Sequence, residues 1–331
     1  MSAINSLLRW TPFILFLALI AIFSVNSTHF FGSANFAAIL VQSSWLVAVA
    51  LGMNFVLLTA GVDLSVGATM YLAAIAVGLG LPGAPVWLGL LGSFLVGGLF
   101  GAVNATLIAR LRLPAFIVTL ALLFVGRGVG LFFSSTKVVH ASPSVANFGR
   151  ESMLGIPSPL LIAGITLAGA WLLLNRMPFG PFVRSIGADA EGARRAGVPV
   201  KAVTYCVYVL CGALAGIGGF ISFSQTSAAS AAFGQGSEFL AIAAAVLGGT
   251  SLSGGRGNVW APVIGAILIT TVQNGLVMIN ANPYAYPVIT GSVIFVAALL
   301  DSIRSHTQAR ANRRTIRPLP NVGEVHVGAN S

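Results

Sequence analysis

Apolar runs of about 20 residues, almost free of charge, recur from residue 11 to residue 303, broken by short segments rich in Gly, Pro and charge. At about 1.5 Å rise per residue, each run matches the roughly 30 Å hydrocarbon core of a bilayer. That core holds no water to satisfy backbone N–H and C=O groups, so each run must satisfy its own as a helix. Soluble domains carry roughly a quarter charged residues. Here 7% of 331 residues are charged and 56% are hydrophobic. The pattern predicts an all-α polytopic membrane protein: an N-terminal segment 1–10, one membrane domain over 11–303, and a basic, flexible tail 304–331.

Reading the runs against their breaks gives ten helices, at 11–30, 36–60, 65–81, 85–109, 114–134, 158–175, 202–224, 238–253, 259–280 and 284–303. The third and eighth are short and interrupted by Gly, as expected of half-spans that dip into a protein-lined cavity. With the N-terminus inside, all 17 Lys and Arg except Lys137, Arg150 and the intramembrane Arg127 fall on inner segments. The positive-inside rule therefore places both termini in the cytoplasm. The formal charge of +10 is spread over short connecting segments, which makes it a topology signal and not a nucleic-acid-binding face. Phe13 to Val25 is followed by no clear small-x-small cleavage site and reads as an uncleaved first span. Cys206 and Cys211, five residues apart on one helix, point about 140° from each other, which argues against a bridge.

The longest inner loop, "RMPFGPFVRSIGADAEGARRAGVPVK" at 176–201, carries a helix signature of its own. Asp189 can cap it, Ala190 to Ala196 can form two turns, Gly197 can take the left-handed stop, and Pro199 forbids continuation. Glu191 reaches Arg194 and Arg195 at the i,i+3 and i,i+4 spacings. A short Ala-rich helix suits a shallow groove of a partner protein, and a plain connector would look the same. No G-x-x-x-x-G-K-[ST] occurs, so the chain has no P-loop, and energy must come from a separate partner or an ion gradient.

"GPFVRSIGADAEGARRAGVPV" is similar to the cytoplasmic coupling loop of the permease subunits of bacterial ABC sugar importers of the ribose, xylose and galactose type. "LGMNFVLLTAGVDLSVGATM", "GAVNATLIARLRLPAFIVTLALLFVGRGV" and "AVLGGTSLSGGRGNVWAPVIGAILI" resemble the same family in the same order, covering residues 36 to 303. The resemblance implies an inner-membrane permease with no cofactor and no ATPase site of its own. It implies a second permease subunit, identical or not, two ATPase subunits that bind ATP-Mg, and an extracytoplasmic sugar-binding protein. It assigns ATPase coupling to Gly180, Arg184, Gly187, Asp189, Glu191, Ala193, Arg194, Arg195 and Gly197. Its signature and gating positions are Gly61, Asp63, Leu64, Ser65 and Gly67, with Gly249, Ser253, Gly255 and Arg256 in a second Gly-rich stretch that repeats a fragment of the first. Pro181 and Pro262 depart from the family pattern. Branched-chain amino-acid permeases share the architecture but lack the Gly-Val-Asp-Leu-Ser string, which favours a sugar over an amino acid or another small polar metabolite. Few intramembrane carboxylates argue against an ion-coupled secondary transporter. An enzyme is disfavoured because no paired carboxylates, His cluster or nucleophile–base pair stands out.

Asp63 is expected to cap the following helix by accepting from Ser65 or Val66, with gating or ATPase contact as the alternative. Arg127 must face a cavity, pair, or snorkel. Asn54, Gln273 and Asn274, with Gln42 and Asn104, either bond between helices or line a pathway. The four His are scattered over loops and tail, which argues against a metal site. The outer segment 135–157, with Lys137, His140, Arg150 and Glu151, reads as a solvated loop that could also receive a binding protein.

Overall fold

The computed structural model describes residues 17–299 apart from 19, 28, 293, 294 and 296–298. Residues 11–16 of the expected first span, most of the second half of the last, both termini and the basic tail lie outside the described residues. The elements follow in chain order: α1 (Ser33–Leu58), α2 (Val66–Gly80), α3 (Val86–Ala105, prolonged by a π turn Thr106–Arg110), α4 (Ala115–Ser134), α5 (Pro143–Phe148), α6 (Ser158–Asn175), α7 (Phe179–Ala188), α8 (Ala190–Arg195), α9 (Val200–Thr226), α10 (Ser237–Leu247) and α11 (Trp260–Met278). Among the described residues, six of these are long and apolar enough to cross a membrane: α1, α3 with its π turn, α4, α6, α9 and α11. Residues 20–26 and 286–292 are also helical, inside the expected first and last spans.

Proline sets several of these starts. Pro85, Pro114, Pro157 and Pro199 stand immediately before α3, α4, α6 and α9, where a fixed φ aids the turn into the helix and a missing N–H costs nothing. Pro181 and Pro262 fall third in α7 and α11, inside the first turn, so neither removes an intrahelical bond.

The buried centre is α9, which packs against α1, α2 and α3. Between apolar helices in lipid no hydrophobic force remains, and close backbone approach through small residues takes over. Gly97 and Gly101 on α3 meet Gly212 and Gly216 on α9 so closely that a Cβ at any of the four would collide with backbone of the other helix. Large apolar side chains such as Leu99, Ile117, Phe124 and Phe132 point outward, as a lipid-facing surface requires.

α2 and α10 have 15 and 11 residues, about 22 and 16 Å, and are too short to cross alone. Their N-termini meet inside the bundle, where the backbones of Gly67 and Gly234 touch. The chain reaches that point by re-entry. Ala228–Ala229 (β4) pairs antiparallel with Val139–His140 (β1), and residues 230–236 then run inward to Gly67, with Gly234 and Gly236 in the left-handed region.

Two expectations are corrected. The eighth helix ends at Leu247 and not at 253: Gly248 packs on the backbone of Ala261, Gly249 takes φ +106°, and the chain folds back along α1. The segment 135–157 is not a plain solvated loop. It contains β1, α5 and a hairpin of β2 (Ser152–Met153) and β3 (Ile156–Pro157), strands of two residues each in an otherwise helical fold. Phe148 of α5 packs on Phe220 of α9 with ring centroids 5.6 Å apart, covering the end of the bundle opposite the 176–201 loop.

Candidate functional site

The 176–201 loop folds into two helices. α8 matches the expected one in detail: Asp189, in extended conformation, accepts the Glu191 N–H at 3.1 Å on Oδ1. Gly197 takes φ +86°, the Gly197 N–H donates to Arg194 O at 3.1 Å, and the Val198 N–H donates to Ala193 O at 3.0 Å, closing a Schellman motif. Arg194 grips Glu191 with two nitrogens at 2.9 and 2.6 Å, and Arg195 adds a third bond at 3.2 Å. These donors hold the Glu191 carboxyl down to about 2. Ala193 is buried, while Glu191, Arg194 and Arg195 stand exposed.

The other helix, α7, was not anticipated. Its signal was available: Phe179, Val183 and Ile186 recur at helical spacing, and Gly180, Val183 and Ile186 form its buried face. Gly180 lies on the backbone of Leu174 at the end of α6, and Arg184 donates to Leu174 O at 3.3 Å. Gly187 lies where three chain segments meet. The Gly255 N–H donates to Leu58 O, at the end of α1, at 3.0 Å. A Cβ on Gly187 would stand 2.5 Å from that same Gly255 nitrogen and would overlap Leu58 O. The 176–201 loop, the end of α1 and the second Gly-rich stretch thus share one backbone contact.

Asn54 reinforces it. Its Oδ1 accepts from Thr250 at 2.6 Å and its Nδ2 donates to Asn258 O at 3.2 Å, so this fully buried amide ties α1 to the 248–258 turn. In that turn Gly249 supplies the reversal, the Ser253 N–H donates to the Ser251 hydroxyl at 3.2 Å, and Arg256 is exposed with its carbonyl bonded to the Ser251 N–H. Beside α8, a groove of about 610 Å³ is lined by Arg112, Glu191, Arg194 and Lys201 among others, bringing in a cation, Arg112, that sequence reasoning did not single out.

Asp63 accepts from Ser65 as expected, but it does not cap α2: Ser65 is itself the N-cap and makes no side-chain cap bond. Its Oδ1 accepts the Ser65 N–H at 2.9 Å and the Ser65 hydroxyl at 2.7 Å, while Asn104 Nδ2 donates to the same hydroxyl at 2.7 Å. Asp63 is 1% exposed, and Leu64 beside it is buried too. Gly61 lies against the Tyr208 hydroxyl, eight residues or about 12 Å into α9 from the 176–201 loop. Asp63 Oδ2 and Asn104 Oδ1 have no partner among the described residues.

Among the described residues Arg127 makes no salt bridge with a carboxylate. Its guanidinium donates to Phe233 O at 2.6 Å and lies over the Tyr71 ring, 5.6 Å from the centroid, so it staples α4 to the re-entrant segment. Gly67 packs against the side chain of Glu238 at the start of α10. Gln273 and Asn274 face a cavity at the other end of the bundle from the 176–201 loop.

Residues 35–298 match the family described as branched-chain amino acid transport system / permease component. The chain is 35% identical over 303 residues to the ribose import permease protein of Escherichia coli K12, covering 89% of this chain and 94% of that one. It is 35% identical over 301 residues to the D-allose transport system permease protein of the same organism, covering 90% and 92%. It is 31% identical over 302 residues to the fructose import permease protein of Rhizobium meliloti, covering 87% and 83%. No solved structure matches.

Proposed function

We propose that this chain, which belongs to the branched-chain amino acid transport system / permease component family, is the inner-membrane permease subunit of an ABC importer for a monosaccharide. The family description names amino acids, whereas the relatives above are named for ribose, D-allose and fructose. The observation that carries the mechanism is the backbone junction of Gly187, Leu58 and Gly255. An exposed, internally braced α8 follows α7, and α7 has no side chain between itself and the ends of two membrane segments at Gly187. A push on α8 from outside the membrane is therefore delivered to α1 and to the turn after α10 with little slack.

In this reading the coupling loop and both termini face the cytoplasm, and ten spans are counted by taking α2 and α10 as partial ones. A separate ATPase binds ATP-Mg and docks over α8 and the groove beside it, where Arg112, Arg194 and Lys201 supply donors. A second permease subunit completes the pathway, and an extracytoplasmic binding protein delivers sugar to the face covered by α5 and the β1–β4 pair. ATP binding and hydrolysis switch the pathway between outward and inward access, and no covalent chemistry falls to this chain.

The test is reconstitution with the cognate ATPase and binding protein, followed by uptake of radiolabelled monosaccharides and L-leucine. ATP-dependent accumulation of at least one monosaccharide is expected. Uptake of L-leucine alone, or sugar uptake that needs an ion gradient and no ATP, would overturn the assignment.

A further inference from the structure

Between α1, the re-entrant segment, α11 and helical residues 286–292 lies a cavity of about 670 Å³. Gln42 lies about 14 Å along α1 from Ser33, and Asn274 about 6 Å from the end of α11 at Met278. The cavity therefore occupies the half of the membrane domain away from the coupling loop. Its polar lining consists of amides and hydroxyls, from Gln42, Gln235, Gln273, Asn274, Tyr286 and Thr290, and among the described residues no charged side chain lines it. Two of these groups are buried without a protein partner. Asn274 and Thr290 are 8% and 6% exposed, and neither Asn274 Oδ1 nor Thr290 Oγ1 has a hydrogen-bond partner among the described residues. Buried polar atoms ordinarily have one.

We infer that this cavity is a binding subsite for a neutral polyhydroxyl ligand, a monosaccharide in transit, an assignment that rests on the sugar-import reading. Carboxamides and hydroxyls each offer a donor and an acceptor, matching sugar hydroxyls that are both at once. Phe239, Leu240 and Tyr286 supply apolar faces for the C–H side of a sugar ring. A volume of about 670 Å³ lies within the range of small-molecule sites. A zwitterionic amino acid would have to bring an ammonium and a carboxylate into a lining with no countercharge for either, which is costly. The same lining therefore selects between the two substrate classes that the family serves.

The test uses the complete importer in proteoliposomes with near-isosteric variants. Asn274→Leu combined with Thr290→Val is expected to lower ATP-driven uptake of the transported sugar by about tenfold or more. ATP hydrolysis stimulated by the loaded binding protein should be unchanged, and Thr290→Ser should retain uptake. Independently, Gln42→Cys in a Cys206→Ser background should react with a maleimide, and D-ribose or D-fructose should slow that reaction while L-leucine should not. Full uptake by the double variant, a parallel loss of uptake and stimulated hydrolysis, a cysteine that does not react, or equal protection by L-leucine would each overturn the subsite. Absence of any sugar uptake by the unmodified complex would instead defeat the importer reading beneath it.

Discussion

Gly187→Ala is the sharpest perturbation of the proposed coupling junction. The new methyl would sit 2.5 Å from the Gly255 nitrogen, where ordinary contact begins at 3.4 Å. The two backbones must therefore separate by at least about 0.9 Å there, and further at Leu58 O, since neither neighbour is a side chain that can rotate aside. Overpacking of this kind costs about 1–3 kcal/mol. The Gly255 N–H to Leu58 O bond, 3.0 Å long, would be stretched or lost, adding about 0.5–1.5 kcal/mol. A combined cost of about 1.5–4.5 kcal/mol corresponds to about 12- to 1,600-fold in the population of the seated arrangement. The assay is sugar accumulated per ATP hydrolysed by the reconstituted importer. That ratio should fall at least tenfold, while hydrolysis itself continues. Gly169→Ala on α6, where an added Cβ meets nothing within 4 Å, should leave it unchanged. A Gly187→Ala importer with the native ratio, or a loss equally large in Gly169→Ala, would refute the reasoning.

Three further outcomes follow from other contacts. Thr250→Val removes a 2.6 Å bond to the fully buried Asn54 and should cost about 1–3 kcal/mol in thermal unfolding of the detergent-solubilised permease, with Thr250→Ser restoring most of it; an unchanged midpoint would contradict the tie. Gly216→Leu forces a side chain into the backbone of α3 at Ser93 and should abolish monodisperse permease on gel filtration, whereas Gly98→Ala, whose Cβ would make an ordinary 3.7 Å contact with Ala213, should be tolerated. The Glu191 carboxyl, lowered from 4.5 to about 2 by Arg194 and Arg195, should titrate near 2 when followed by carbonyl NMR; because the folded value is depressed, the ion pairs support α8 fully above pH 4.5 and lose that support as the pH falls through 2, and a midpoint at or above 4.5 would refute the geometry.

What the sequence made legible was local. The Asp63–Ser65 contact spans two residues, the α8 cap and stop span nine, and the prolines before α3, α4, α6 and α9 act on the next turn. Six long helices fell within a few residues of expectation, because length and apolarity are enough to define them. What stayed hidden depends on pairing across the chain. Asn54 to Thr250 joins residues 196 apart and Asn104 to Ser65 joins residues 39 apart, and no periodicity links such positions. The eighth helix was expected as a half-span, but the depth of the re-entry at 230–236 was hidden, since it is set by the contact of Gly234 with Gly67 and not by its own composition. Two signals were present and unused: the Gly97-x-x-x-Gly101 and Gly212-x-x-x-Gly216 spacings that build the α3–α9 crossing, and the apolar stripe of α7.

The brevity of α2 and α10 bears on how such a chain is made. A segment that leaves the ribosome as an independent span needs about 20 apolar residues to enter the bilayer on its own, and α10 offers 11. Its polar entry, from Ser230 to Gly236, would carry unsatisfied amides into lipid if no protein were already there to receive them. α10 therefore takes its place only after α1 and α2 have been inserted and are held ready, and its C-terminal turn closes on Leu58 and Asn54, residues synthesised nearly two hundred positions earlier. Assembly of the Gly187–Leu58–Gly255 junction is in that sense a late step in biogenesis, completed by parts of the chain that cannot reach the membrane interior unaided.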